Sequence, residues 1–160
     1  MSKRALLLLP LLALLASCGF RLQGAMPLPV SLHASYIDAK DDQSEFVGAL
    51  RSALRSSGVA LSQSRSAEVA QITVLKETIS ERVLSVSARN TPTDYELVYR
   101  VELSVSAQGR ELMAPEELSL SRVYSFDERK LLAKEREKEI LSDALAHELA
   151  SVAIRRLASL

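Results

Sequence analysis

The chain has 160 residues, 20 basic and 20 acidic, with 48% apolar residues, 4% aromatic and no Trp. That length supports one domain whose modest core must be filled by Leu, Val, Ile and Ala. A balanced charge argues against a protein that coats nucleic acid, since such surfaces carry a marked excess of Lys and Arg.

Lys3 and Arg4 open the chain, an apolar block runs from Ala5 to Ala16 broken only by Pro10, and Ala16-Ser17 close it. A positive start, an apolar middle of about 7–15 residues and a small-residue end describe a secretory signal peptide, here residues 1–17. The block is shorter than the roughly 20 apolar residues of a spanning helix. The only cysteine, Cys18, follows at once. Leu15-Ala16-Ser17-Cys18 resembles the bacterial lipobox, in which the Cys becomes the first mature residue and is acylated. The competing reading is an ordinary signal peptide with a coincidental cysteine. A lone Cys in an exported chain has no intramolecular disulfide partner, which fits lipidation. One acyl chain anchors only marginally, at about 0.8 kcal/mol per buried methylene, so a triacylated Cys18 would hold the protein on a membrane durably. Gly19 in place of an Asp favours sorting to the outer membrane. The covalent lipid on Cys18 is the only non-protein group expected; no cofactor is.

Residues 18–29, with Gly19, Gly24, Pro27 and Pro29 and no period, read as a lipidated tether. From Val30 the chain alternates: Val30, Leu32, Ala34 and Tyr36 against Ser31, His33 and Ser35, a half-buried strand. Asp42 with Glu45 three residues on makes a capping-box-like start to a helix carrying Phe46, Val47, Leu50 and Leu54, with Gly58 as its stop. A polar link over 62–68 leads to a strand from Val69 to Lys76, whose apolar phase continues loosely through Ile79 to Leu84, Val86 and Ala88.

Residues 88–94 form a loop by composition. The next strand has the clearest alternation, with Tyr95, Leu97, Tyr99, Val101, Leu103, Val105 and Ala107 on one face and only Val98 out of phase. A turn over 108–116 precedes a strand through Leu118, Leu120, Tyr124 and Phe126. From about Glu128 the period is helical: Leu141, Leu145, Leu149 and Val152 form a stripe, after a solvated charged first half over 134–139. The expected architecture is a single α+β domain over residues 30–160, in the order β-α-β-β-β-α. A four-stranded, mostly antiparallel sheet carries two helices on one face.

Catalytic motifs are missing. His33, on the polar side of the first strand, and His147, beside Glu148 in the last helix, share no metal-ligand spacing. Neither Gly-x-Ser-x-Gly nor Ser-x-x-Lys occurs, so nothing argues for an enzyme. Two cations at element ends are the remaining candidates: Arg89, opening the polar loop, and Lys134, starting the final helix. As a pair they would suit phosphate, Arg as a planar fork and Lys as a compact charge. The alternative is that each is simply solvated.

Four local features resemble the lipopolysaccharide-assembly LptE family. They are Cys18-Gly19-Phe20 with Leu22; Arg89-Asn90 in a short polar loop before an acidic residue and Tyr95; Arg122-x-Tyr124-Ser125-Phe126-Asp127; and Leu132-Ala133-Lys134 before a charged helix start. The resemblance implies a non-enzymatic, lipid-anchored protein of the outer membrane. It would plug and help assemble the LptD β-barrel, with its domain periplasmic or within the barrel lumen, and would bind lipopolysaccharide for delivery to the outer leaflet. It places Arg89 and Lys134 at the family's lipopolysaccharide-binding positions. The rival is another small outer-membrane lipoprotein, an auxiliary subunit of a lipid transporter or a cell-wall-binding module. A lipid-anchored hydrolase is a third class, against which the missing nucleophile motif counts.

Overall fold

The computed structural model describes residues 26–125 and 131–160. The signal peptide, Cys18, most of the tether and the Phe126-Asp127 end of the third motif lie outside those residues. A single 3-10 turn at Val30–Leu32 precedes β1 (Ala34–Ala39), α1 (Glu45–Ser56), β2 (Ala60–Leu61), β3 (Ala70–Val86), β4 (Pro92–Ala107), β5 (Arg110–Ser125) and α2 (Leu131–Leu157). The sheet has five strands in the order β2-β1-β3-β4-β5, not the expected four. The extra strand, β2, is two residues long, too short to show any period, and pairs in parallel with β1. β1 and β3 are also parallel, while β3, β4 and β5 form a long antiparallel meander.

The first strand differs from its expected phase. Ser35 and Ile37 face the core, whereas Ala34 is exposed. The 3-10 turn is responsible: three residues per turn shift the alternation that runs from Val30 in the sequence. Ser35 is the one fully buried polar residue among those described, and its hydroxyl donates to Leu32 O at 2.8 Å. Leu28 is buried and Met26 packs against the core, so the packed domain starts inside the stretch read as tether.

Helix α1 starts two residues later than expected. Ser44 is the N-cap, its hydroxyl accepting from Val47 N at 3.2 Å, while Asp42 instead pairs with Arg51. Its end is a Schellman motif. Gly58, at φ +83°, donates to Arg55 O, and Val59 N reaches Leu54 O at 3.0 Å. Val59 and Leu54 are both buried, the apolar contact that completes such an ending.

The β4–β5 hairpin is tighter than the expected 108–116 turn. Ala107 pairs with Arg110 around Gln108 and Gly109, both at positive φ, which is the two-residue type I′ turn. Pro115 is then tolerated within β5 because β5 is an edge strand.

One core joins the sheet to both helices. Leu97, Tyr99, Val101, Leu103 and Val105 line the inner face of β4, as the alternation predicts, against Phe46, Leu50 and Leu54 of α1 and Leu145, Leu149 and Leu157 of α2. The strands outrun that core. Strands of 16 and 17 residues extend about 50 Å, while α1, with 12 residues, covers about 18 Å. On β3 only Ala70, Ile72 and Val74 are buried; from Leu75 to Val86 none is. The outer half of β3 therefore projects beyond α1, while β4 and β5 beside it still bury Leu97, Tyr99 and Tyr124.

Candidate functional site at the projecting end of the sheet

The outermost feature is the β3–β4 turn. Asn90 N donates to Ser87 O, Ser87 N donates to Thr91 O, and Asn90 itself sits at φ +59°. The Ser87 hydroxyl accepts from the amides of Arg89 and Thr91, which fixes the loop backbone. Asn favours the left-handed conformation this position requires. The loop spans only 87–91, and Pro92 already opens β4, a first-strand position where its missing N–H costs nothing. Arg89 is exposed at this tip, and its guanidinium makes no hydrogen bond or ion pair among the described residues. Just behind it Val83, Leu84 and Val86 are each about half exposed.

Lys134 reaches the same end from the other direction, since α2 follows β5, whose last residues pair with the start of β4. Its side chain is only 17% exposed, and its ammonium lies 2.6 Å from Glu137 Oε2. The two cations thus share one end of the molecule but differ in state: Lys134 is ion-paired, while Arg89 has no partner among the described residues. The first half of α2 is solvated as expected at Glu135, Arg136 and Glu139, but Lys134, Glu137 and Lys138 are partly covered. Its inward stripe continues from Leu149 and Leu145 through Leu141 to Lys138 and Lys134, so leucine gives way to lysine where the helix leaves the core.

The lysines meet carboxylates that sequence reasoning missed. Opposite β4, the inner face of β3 carries Glu77 and Glu81 in phase with Ile79 and Val83. Lys138 Nζ lies 2.8 Å from Glu81 Oε2, and the Tyr124 hydroxyl donates to the same oxygen at 2.5 Å. One turn nearer the core, Tyr99 OH donates to Glu77, which also accepts from the α1 cap Ser44 at 2.8 Å. The Tyr124 ring stacks on Tyr95, with centroids 5.8 Å apart. Burial alone would raise the Glu81 carboxyl, but the hydrogen bonds from Lys138 and Tyr124 outweigh it and hold it below its ordinary value. Burial and Glu81 together push the Tyr124 phenol up; burial and Glu77 do the same to Tyr99. Alternation continued from Ile72 and Val74 would put Glu77 and Glu81 outward; the register shift between Val74 and Lys76 turns them inward, which a simple period does not announce.

Two further ion pairs tie α2 to β5: Arg156 with Glu116 at 2.8 Å and Arg122 with Glu148 at 2.6 Å. With Lys138–Glu81 they show the helix crossing the sheet diagonally, from β5 at its C-terminal end to β3 near its start. The outer face of the meander is polar and serine-rich. There Glu96 accepts from Ser121 and Arg82, which keep its carboxyl below the ordinary value. His33 Nε2 lies 3.2 Å from Leu28 O, and His147 is exposed on α2. The described residues hold no group of three potential metal ligands and no helix long and apolar enough to cross a membrane.

This arrangement, a mixed sheet with two helices on one face and a projecting antiparallel meander, is that of solved bacterial lipoproteins. The rare lipoprotein B of Shewanella oneidensis superposes with a TM-score of 0.71 at 25% identity, covering 79% of this chain and 94% of that one. Lipoprotein B of Nitrosomonas europaea gives 0.71 at 24% identity, covering 88% and 91%. The family is defined by the sequence match: residues 32–157 fit the model described as LptE, lipopolysaccharide-assembly, and the chain belongs to that family. The LPS-assembly lipoprotein LptE of Yersinia enterocolitica is 26% identical over 98% of this chain and 77% of its own length. That of Yersinia pestis strain Pestoides F is 25% identical over the same shares.

Proposed function

We propose that the protein is a non-enzymatic, lipid-anchored component of the outer membrane, held by acylated Cys18, that binds lipopolysaccharide at the projecting end of its sheet. It also plugs and helps assemble an LptD-type β-barrel. The observation that carries the first role is the tip itself: an exposed Arg89, without a partner among the described residues, directly ahead of half-exposed Val83, Leu84 and Val86. A cation beside apolar side chains matches an amphiphile whose phosphates sit close to its acyl chains. Arg89 competes for phosphates that divalent cations otherwise bridge between neighbouring lipopolysaccharide molecules, and this loosens the aggregate. Lys134 contributes when it leaves Glu137, a second and weaker grip because its charge is already compensated.

Binding of this kind is sensitive to salt, because the charges are exposed. Arg89→Glu lowers lipopolysaccharide retention at low ionic strength by about tenfold, the loss of one charge-assisted contact of about 1.4 kcal/mol. Wild-type retention by the Arg89→Glu, Lys134→Glu double variant at low salt sinks the proposal. For the barrel role, purification from detergent-solubilised outer membranes returns the protein with a stoichiometric β-barrel partner, and the barrel misassembles when the protein is depleted. Recovery with an inner-membrane transporter or with cell-wall material would favour the rival lipoprotein classes instead.

A further inference from the structure

The opposite side of the sheet carries a second feature, independent of the lipopolysaccharide reading. β1 runs six residues, but its outer partner β2 pairs only with its first two. The bonds that close this ladder run from Ala60 N to His33 O and from Ser62 N to Ser35 O, both 2.8 Å. Backbone groups alternate sides along a strand, so Ile37 and Ala39 direct their N–H and C=O the same way, past the end of β2. Neither accepts or donates a backbone bond on that side among the described residues. The chain leaves β2 at Ser62, and no other strand among the described residues pairs with them.

A groove of about 530 Å³ lies along this bare edge, lined by Ile37 and Ala39, by Tyr36 and Gln63, and by Arg51 and Arg55 of α1. The two arginines lie four apart and so share a helix face. Arg51 is paired with Asp42, whose carboxylate is largely exposed. Arg55 is exposed and has no hydrogen-bond or ion-pair partner among the described residues. A strand edge with unpaired amides and carbonyls is a template for one more strand, and the guanidiniums above it select the side chains that strand carries.

We infer that the outer edge of β1 is a docking site for an extended peptide segment of a partner protein, bound by strand addition at Ile37 and Ala39. An acidic side chain of the segment pairs with Arg55 and exchanges with Asp42 for Arg51. The main-chain bonds supply register and the arginines supply charge selection. An arginine-flanked edge gives a bidentate partner for a carboxylate, which a lysine-rich segment cannot exploit.

The test uses the full chain in detergent micelles with isotope-labelled backbone amides and two capped synthetic peptides, one alternating valine and glutamate, the other alternating valine and lysine. The glutamate peptide shifts the Ile37 and Ala39 amides and slows their hydrogen exchange, and it binds at least tenfold more tightly than the lysine peptide. Arg55→Glu reverses that preference. Ala39→Pro removes one outward N–H without touching the β1–β3 ladder, and it weakens the glutamate peptide at an unchanged thermal midpoint. If that variant fails to fold, the Arg55→Glu reversal decides alone. Equal binding of the two peptides overturns the inference. So does no binding of the glutamate peptide at millimolar concentration, or binding that leaves the Ile37 and Ala39 amides unmoved.

Discussion

The two halves of the β3–β4–β5 meander are continuous in backbone but opposite in how they are held. At the packed end, β3 contributes Ala70, Ile72 and Val74 to a core shared with both helices. At the projecting end the same strand leaves Ile79 and Val83 about half exposed, and its contacts with α2 run through Glu81 and Lys138. The difference teaches that one strand can be held by apolar burial at one end and by polar contacts at the other. Apolar burial of about 1.5–3 kcal/mol per large side chain dominates where it is available. Partly exposed ion pairs, worth about 0–1 kcal/mol each, set geometry where it is not.

The sharpest way to break that contrast is to cut the same chemistry from both ends. Leu149→Ala, at a fully buried site, costs about 2–5 kcal/mol in urea unfolding, whereas Val83→Ala stays within about 0.5 kcal/mol. Equal losses would mean that the projecting half is packed after all. Tyr99→Phe tests the border between the halves. Tyr99 is 1% exposed and donates to Glu77, so losing the hydroxyl costs about 1–2 kcal/mol while Ser44 still serves the carboxylate.

The smallest effect concerns Glu81 and pH. Its folded value lies below the ordinary 4.5, so its pairing contributes stability that is fully present above pH 4.5. That contribution is lost as pH falls through the lower folded value. The gain is below about 1 kcal/mol, since the pair is partly exposed. Acidification therefore lowers the hydrogen-exchange protection of residues 134–142, taken relative to the intrinsic rate at each pH, before that of 145–157, and Glu81→Gln removes that pH dependence. Uniform protection along α2 at all pH values would show that the Glu81–Lys138 pair does not hold the helix.

The sequence made the packed end legible almost residue by residue. The alternation of β4 placed Leu97 to Val105 correctly, and Gly58 marked the end of α1, because a two-residue period and a left-handed glycine are both local signals. It misplaced β1, where a 3-10 turn mimicked one more repeat of the alternation, and it missed β2, whose two residues exist as a strand only because β1 lies beside them. Of the candidate site, Arg89 was legible as a loop-tip cation. The partial burial of Lys134 was not, although the Leu149–Leu145–Leu141 stripe pointed at Lys138 and Lys134 once continued upstream. Charges broke the apolar pattern, and charged residues on a helix start default to solvent.

What the sequence determined by itself was local and periodic: the α+β class, the inner face of the long strand, the leucine stripe of α2 and the family to which its motifs belong. Only the tertiary structure decided that the long strands outrun α1, that Glu81 and Lys138 meet, and that the edge of β1 is left bare. Those facts depend on the relative lengths of elements that pair from distant parts of the chain, and no window of sequence contains both partners.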